Sequence, residues 1–277
     1  MNKLQIAVAV LVLASSITHS PKILKPRDSF EDIFPKAEVS IEVQKDFLLE
    51  YDLFKNNVSI LEMDRIIGDP RLKYNPRVKE LLNKNPEKSW PFEKYRNRIL
   101  TDVRIEKGRE FIKDNYSLLY KVQEETGVSL YDITAILGIE TSYGHPNVMG
   151  KFIAFNALYS RYVDYPGKRE WVARQMKELI NMSNELGIDL FELKGSFCGC
   201  VGKGQFLPTT WADLFVDYNK DGKRDPFDLE ETLYSVANLL LDSNYKYNDP
   251  VRRYGALFSY NHSDWYVNVV LELSDCY

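Results

Sequence analysis

The sequence is poor in the residues that bind transition metals. Its 277 residues include only 3 His and 3 Cys, one His (His19) lies near the start, and no CxxC spacing occurs, which argues against zinc. It also lacks an excess of charge. With 36 Lys and Arg against 40 Asp and Glu, the net charge is −4 and the basic residues are scattered among acids, so no nucleic-acid footprint exists. After the first twenty residues no segment is apolar enough to cross a bilayer. The odd count of Cys198, Cys200 and Cys276 leaves at least one thiol free or intermolecular. Pairing Cys198 with Cys200 would close a very tight ring, so any bridge is expected to join Cys276 to one of them.

What is present begins with MNKLQIAVAVLVLASSITHS: Lys3, an apolar run from Leu4 to Ala14, then small residues. This is the layout of a signal peptide over 1–20, and the run falls short of the roughly 20 residues that span a bilayer. A retained anchor is the other reading. The expectation is export to a periplasmic or secreted location with no stable membrane anchor. The 44% hydrophobic content supports a sizeable core, and the 13% aromatic content suits either sugar stacking or core filling.

Residues 21–100 are interrupted by Pro21, Pro26, Pro35, Pro70, Pro76, Pro86 and Pro91, which predicts an N-terminal region of loops and short helices packing on the core. From Asp102 the texture changes. Ile112, Tyr116, Leu119 and Val122 recur at helical spacing up to Gly127, predicting one long helix over 102–126. Ser129 and Asp132 then resemble a capping box that opens a helix carrying Glu140 near its far end. Further helices are expected over 151–163, 168–186, 208–216, 229–244 and 263–273. The fold class is mainly α, with a core over 101–277.

Four constellations carry chemistry. In GIETSYG (138–144), Glu140 stands among Ile136, Leu137 and Ile139, with Gly138 and Gly144 clearing space for a ligand. A carboxyl in apolar surroundings holds its proton to higher pH, as a general acid must. In GSFCGCVGKGQFLPTTW (195–211), four glycines allow backbone close to a ligand, and Ser196 and Gln205 offer hydrogen bonds. SYNHSDWY (259–266) supplies Tyr260, Asn261 and Tyr266; His262 and His145 read as surface polars. In DYNKDGKRDPFDLEE (217–231), Asp217, Asn219, Asp221 and Gly222 match the start of an EF-hand loop, and Lys223 would offer its carbonyl. The twelfth position is Asp228, while a longer loop would close with Glu231.

In that order, and with NVMG at 147–150, these motifs resemble the MltB-type soluble lytic murein transglycosylases over roughly 90–275, with a weaker echo in LEMDR at 61–65. The resemblance implies a lysozyme-like helical fold and cleavage of the MurNAc–GlcNAc link of peptidoglycan, leaving 1,6-anhydro-MurNAc ends. It makes Glu140 the single catalytic acid, sets Ser196 and Asn261 beside it or the N-acetyl group, and lines the cleft with Gln205, Tyr260 and Tyr266. It also implies a structural calcium ion on Asp217, Asn219, Asp221, Lys223 and Glu231. Peptidoglycan glycan strands are the implied partner, with other cell-wall enzymes as further candidates. The chain departs from the family at Cys198 and Cys200, where small apolar residues are usual, at Thr209 and Thr210, and at Ser142 and Tyr143. No second acid is evident in the sequence, which favours a mechanism assisted by the substrate's own acetamido group. A hydrolytic muramidase of the same fold and a non-catalytic, calcium-stabilised wall-binding protein are the rival readings.

Overall fold

A computed structural model describes residues 49–277 apart from 51 and 85; the expected signal peptide lies outside the described residues. The proline-rich stretch forms short helices: α1 (Ile60–Ile67), α2 (Arg77–Asn83), α3 (Pro86–Ser89) and α4 (Phe92–Ile99). Ser59 caps α1 by accepting from the Glu62 N–H, and prolines stand at or just before the starts of α2, α3 and α4, where a missing N–H costs nothing. Leu49, Leu53, Val58, Met63 and Ile66 join the same apolar core as the later helices. Residues 71–75 are tied to it by backbone bonds, Asn75 N–H to Ser160 Oγ at 2.8 Å and Asn156 Nδ2 to the Arg71 carbonyl at 2.8 Å.

The long helix expected over 102–126 is two: α5 (Asp102–Asp114) and α6 (Tyr116–Thr126). Asn115 leaves helical geometry at φ −117°, ψ 18°, and its side chain turns back to donate to the Phe111 carbonyl at 2.9 Å. A short polar side chain that competes for backbone acceptors is a physical reason for the break.

Helix α7 (Leu130–Thr141) is buried almost all round and packs against α5, α6, α11 (Leu229–Asp242) and α13 (Asp264–Asp275), so it forms the centre of the core among the described residues. Ser129 does cap it, accepting from the Tyr131 N–H at 3.3 Å. Asp132 does not complete a capping box. It is fully buried and accepts from Tyr245 Oη at 2.5 Å and from Arg253 Nε and Nη2 at 2.8 and 2.5 Å, a paired charge inside the core.

After α7 come a two-residue strand β1 (Phe152–Ile153), α8 (Ala154–Asp164), a 3₁₀ turn (Pro166–Lys168), α9 (Arg169–Leu186) and β2 (Lys194–Gly195), which pairs antiparallel with β1. Helix α10 (Pro208–Leu214) starts on Pro208 and buries Trp211, whose Nε1 donates to the Arg224 carbonyl at 2.8 Å. One helix is absent from the expectations: α12 (Pro250–Tyr260), capped by Asp249 and opened by Pro250 at its first position. Both signals stand in the sequence, and they place Tyr260 at a helix end. Among the described residues no helix is long and apolar enough to cross a membrane.

Candidate active site

Glu140 stands in the last turn of α7, two residues before Ser142 and Tyr143 take left-handed backbone at φ 51° and 64°. The glycines beside it do not open room for a ligand. A Cβ on Gly138 would lie 2.8 Å from the ring of Tyr143, and one on Gly144 would lie 3.2 Å from the Lys203 side chain, so the protein fills both spaces itself. Tyr143 is held there by its hydroxyl, 2.6 Å from the Arg104 carbonyl and 2.7 Å from Tyr277 Oη, and by stacking on Phe111. The turn is closed by Thr141, which donates to the Lys203 carbonyl at 2.7 Å and accepts from the Gly144 N–H at 2.9 Å.

Glu140 keeps partial exposure, yet dense protein surrounds its carboxyl, and that burial raises its pKa from 4.5 to about 7. The Tyr266 hydroxyl acts in the opposite sense, and the negative charge of Glu87 adds to the rise. Tyr266 is 1% exposed; its hydroxyl lies against Glu140 but makes no formed hydrogen bond, a donor held ready for the ionised carboxylate. Its ring is parallel to that of Tyr260 at 6.4 Å, and both hydroxyls are pushed well above the usual tyrosine range, by burial first and the Glu140 charge second.

The glycine-rich loop reaches this acid through its cysteines. Cys198 and Cys200 both feel the Glu140 charge, and burial raises both thiols. All three cysteines are free, so no bridge joins Cys276 to Cys198 or Cys200. Ser196 Oγ accepts from the N–H groups of Cys198 and Cys200 at 3.3 and 3.2 Å, which fixes the loop crest. The close approaches of the glycines are again to the protein: a Cβ on Gly199 would meet Leu158 at 2.5 Å, and one on Gly202 the Pro226 carbonyl at 2.3 Å. Gln205 uses its side-chain NH₂ on the Met149 and Gly202 carbonyls, both at 2.8 Å, and so clamps the loop to the NVMG segment. Tyr260 Oη donates to the Gly204 carbonyl at 2.6 Å.

Two residues that sequence reading passed over belong to this cluster. Tyr95 on α4 feels Glu140, and Glu87 on α3 accepts from Tyr95 Oη at 3.1 Å and from Asn261 Nδ2 at 3.3 Å. A second acid, none being evident from the sequence, therefore acts on Glu140 through its charge. No periodicity or spacing links positions 87 and 95 to 140; only the packing of α4 on α13, with Tyr95 and Ile99 against Val269 and Trp265, brings them there.

The acidic loop forms a separate cluster. Asp217 accepts from the Asp221 and Gly222 N–H groups, Asn219 from Asp221 N–H at 2.8 Å, and Asp221 from Lys223 N–H at 2.8 Å, with Gly222 at φ 86° making the turn. Carboxylate oxygens of Asp217, Asp221 and Glu231 converge within 4.8 Å of one another. Glu231 is fully buried; its Oε2 accepts from Asp225 N–H, while Oε1 has no hydrogen-bond partner. Asp228 is occupied as the cap of α11, accepting from Glu231 N–H at 2.9 Å. Three like charges and a buried oxygen without a donor suit a hard divalent cation.

Comparison with known proteins gives this arrangement its relatives. A family model described as "Transglycosylase SLT domain" matches residues 48–254. The chain is 31% identical over 145 residues to membrane-bound lytic murein transglycosylase B of Escherichia coli K12; the match covers 52% of this chain and 40% of that protein's length. Its fold is similar to that of the E. coli lytic transglycosylase Slt35 in complex with calcium (TM-score 0.72, 20% identity, 84% of this chain and 91% of that one). It is likewise similar to SltB3 of Pseudomonas aeruginosa in complex with NAG-anhNAM-pentapeptide (TM-score 0.74, 20% identity, 84% and 78%). With three quarters of its length matched by the family model and its helical fold shared with these structures, the chain belongs to the transglycosylase SLT domain family.

Proposed function

We propose that this protein is a lytic transglycosylase that cleaves the MurNAc–GlcNAc β-1,4 bond of peptidoglycan and leaves 1,6-anhydro-MurNAc ends, with Glu140 as acid and then base. The observation that carries this reading is a carboxyl held at a pKa of about 7 within a family of transglycosylase domains. At neutral pH and below, Glu140 has a proton to give to the bridging oxygen as the bond to C1 breaks. The 2-acetamido carbonyl of the same sugar stabilises C1, replacing the second carboxylate that other glycosidases use. The C6 hydroxyl then attacks C1 and returns its proton to Glu140, closing the ring without water. That hydroxyl is tethered to the reacting sugar, so proximity favours it. The buried Tyr266 hydroxyl supports the cycle by offering a donor to Glu140 while it is ionised.

Ser196, Gln205, Tyr260, Asn261 and Tyr266 are proposed to line the glycan site. A calcium ion on Asp217, Asn219, Asp221, Lys223 and Glu231 is proposed as a structural cofactor, supported by the convergent carboxylates and the orphaned Glu231 Oε1. The leader-like residues 1–20 support export to the compartment where murein lies. The test is digestion of purified sacculi by wild type and Glu140→Gln, with products read by mass spectrometry before and after borohydride. Anhydro-muropeptides that resist reduction, lost in the variant, are the expected result. Reducible MurNAc ends would make the enzyme a hydrolase, and undiminished release by the variant would remove Glu140 from the chemistry.

A further inference from the structure

Glu87 lies more than fifty residues upstream of Glu140, yet it touches the site from two sides. Its Oε1 accepts from Tyr95 Oη on α4 at 3.1 Å and from Asn261 Nδ2, just past the end of α12, at 3.3 Å. These partners come from different helices, so one carboxylate oxygen fixes an aromatic hydroxyl and a side-chain amide relative to each other. Orienting an amide this way decides what its own carbonyl oxygen can accept from a ligand. We propose that Glu87 is a positioning residue of the active site, holding Asn261 and Tyr95 in place and setting a second negative charge beside the catalytic acid. The proposal rests on the reading of Glu140 given above and adds a residue to it.

The groups around Glu140 make the electrostatic consequence specific. Tyr95 from α4, Tyr260 from α12, Tyr266 from α13 and the thiols of Cys198 and Cys200 from the glycine-rich loop all feel its charge. Arg104 acts on Tyr95 and Arg161 on the two thiols, one element further out. Of the groups that set the affinity of Glu140 for its proton, Glu87 is the charged one, and its charge opposes ionisation. Burial is the larger cause of the raised Glu140 pKa and the Glu87 charge a smaller one in the same sense, so a second acid assists the first without touching the substrate's reacting atoms.

Replacing Glu87 with Gln separates the two roles, because the amide oxygen can still accept from Tyr95 and Asn261 while the charge is gone. Replacing it with Ala removes both. The measurements are the pH profile of muropeptide release from purified sacculi and a ¹³C NMR titration of the Glu140 side-chain carboxyl, whose signal is identified by its loss in Glu140→Gln. In Glu87→Gln the alkaline limb and the NMR midpoint should both move down, by up to about 0.5 pH unit. Glu87→Ala should show the same shift together with a KM raised by about three- to tenfold, from the freed Asn261. A midpoint unmoved in Glu87→Gln, or an Ala variant with wild-type KM, overturns the proposal. If Glu140→Gln stays active, the catalytic reading fails, and the NMR midpoint still decides whether Glu87 acts on Glu140.

Discussion

The end of α7 and the loop 217–231 each enclose a carboxylate, Glu140 in one and Glu231 in the other, and the two stand among different neighbours. At Glu140 burial acts chiefly on one acid, a tyrosine hydroxyl waits beside it, and the group keeps its proton to about pH 7. In the loop three acids converge within 4.8 Å, and one of them buries an oxygen with no donor. Burial raises the pKa of Glu231 too, with the neighbouring acids adding to the rise, while backbone N–H groups donate to Asp217 and Asp221. The lesson is that burial raises the pKa of both acids, and the number of acids and the donors around them are what distinguish the two sites.

The sharpest way to break this contrast is chemical. Glu140→Gln should lower muropeptide release by about 10²–10⁴-fold, as expected for loss of a general acid, whereas Glu231→Gln should leave the chemistry at Glu140 in place and act on stability. Calcium is the next lever. If the loop binds it at a hundred times its Kd, the folded state gains about 2.7 kcal/mol, so excess chelator should lower the melting temperature by about 5–10 °C in wild type and by far less in Glu231→Gln. A melting temperature indifferent to chelator in wild type would dissolve the distinction.

The stability of Glu140 itself comes third. Its folded pKa of about 7 exceeds the 4.5 of an ordinary glutamate, so the folded state binds the extra proton between those values. Wild-type stability should therefore fall as pH rises from about 4.5 to 7, and the penalty should be complete above 7. Glu140→Gln lacks that penalty and should be more stable than wild type at pH 8 by about 1–3 kcal/mol, with the difference absent at pH 4, as chemical denaturation can measure. The smallest effect is at Tyr266. Its hydroxyl lowers the pKa of Glu140, so Tyr266→Phe should move the alkaline limb of activity up by about half a unit, opposite in sign to Glu87→Gln. A downward shift in Tyr266→Phe would mean that its hydroxyl does not act on Glu140 as the geometry indicates, and an upward shift in Glu87→Gln would say the same of Glu87.

The motifs legible in the sequence are those whose parts are close along the chain. The loop 217–231 is read from alternating oxygens and a glycine, because its geometry is local backbone geometry, and Pro208 marks the start of α10 by the same token. Glu140 stands out because its neighbours within one helical turn are apolar. Local cues also mislead. Gly138 and Gly144 suggest space that Tyr143 and Lys203 fill, and Asp132 suggests a cap but pairs with Arg253, more than a hundred residues away. Asn115 breaks a helix that periodicity alone would continue, since periodicity registers apolar faces and not a side chain's competition for a backbone carbonyl.

By itself the sequence determined the mainly helical class, the central helix ending on Glu140, and the acidic turn, because helix faces, caps and turns follow from interactions a few residues apart. Only the tertiary structure decided what surrounds that carboxyl: Tyr266 and Tyr260 from the C-terminal helices, the cysteines of the glycine-rich loop, and Tyr95 and Glu87 from a region that reads as loops and short helices. The reason is that desolvation and charge depend on distance in space, and the groups that set the proton affinity of Glu140 are brought within range by packed helices whose separation along the chain carries no information about it.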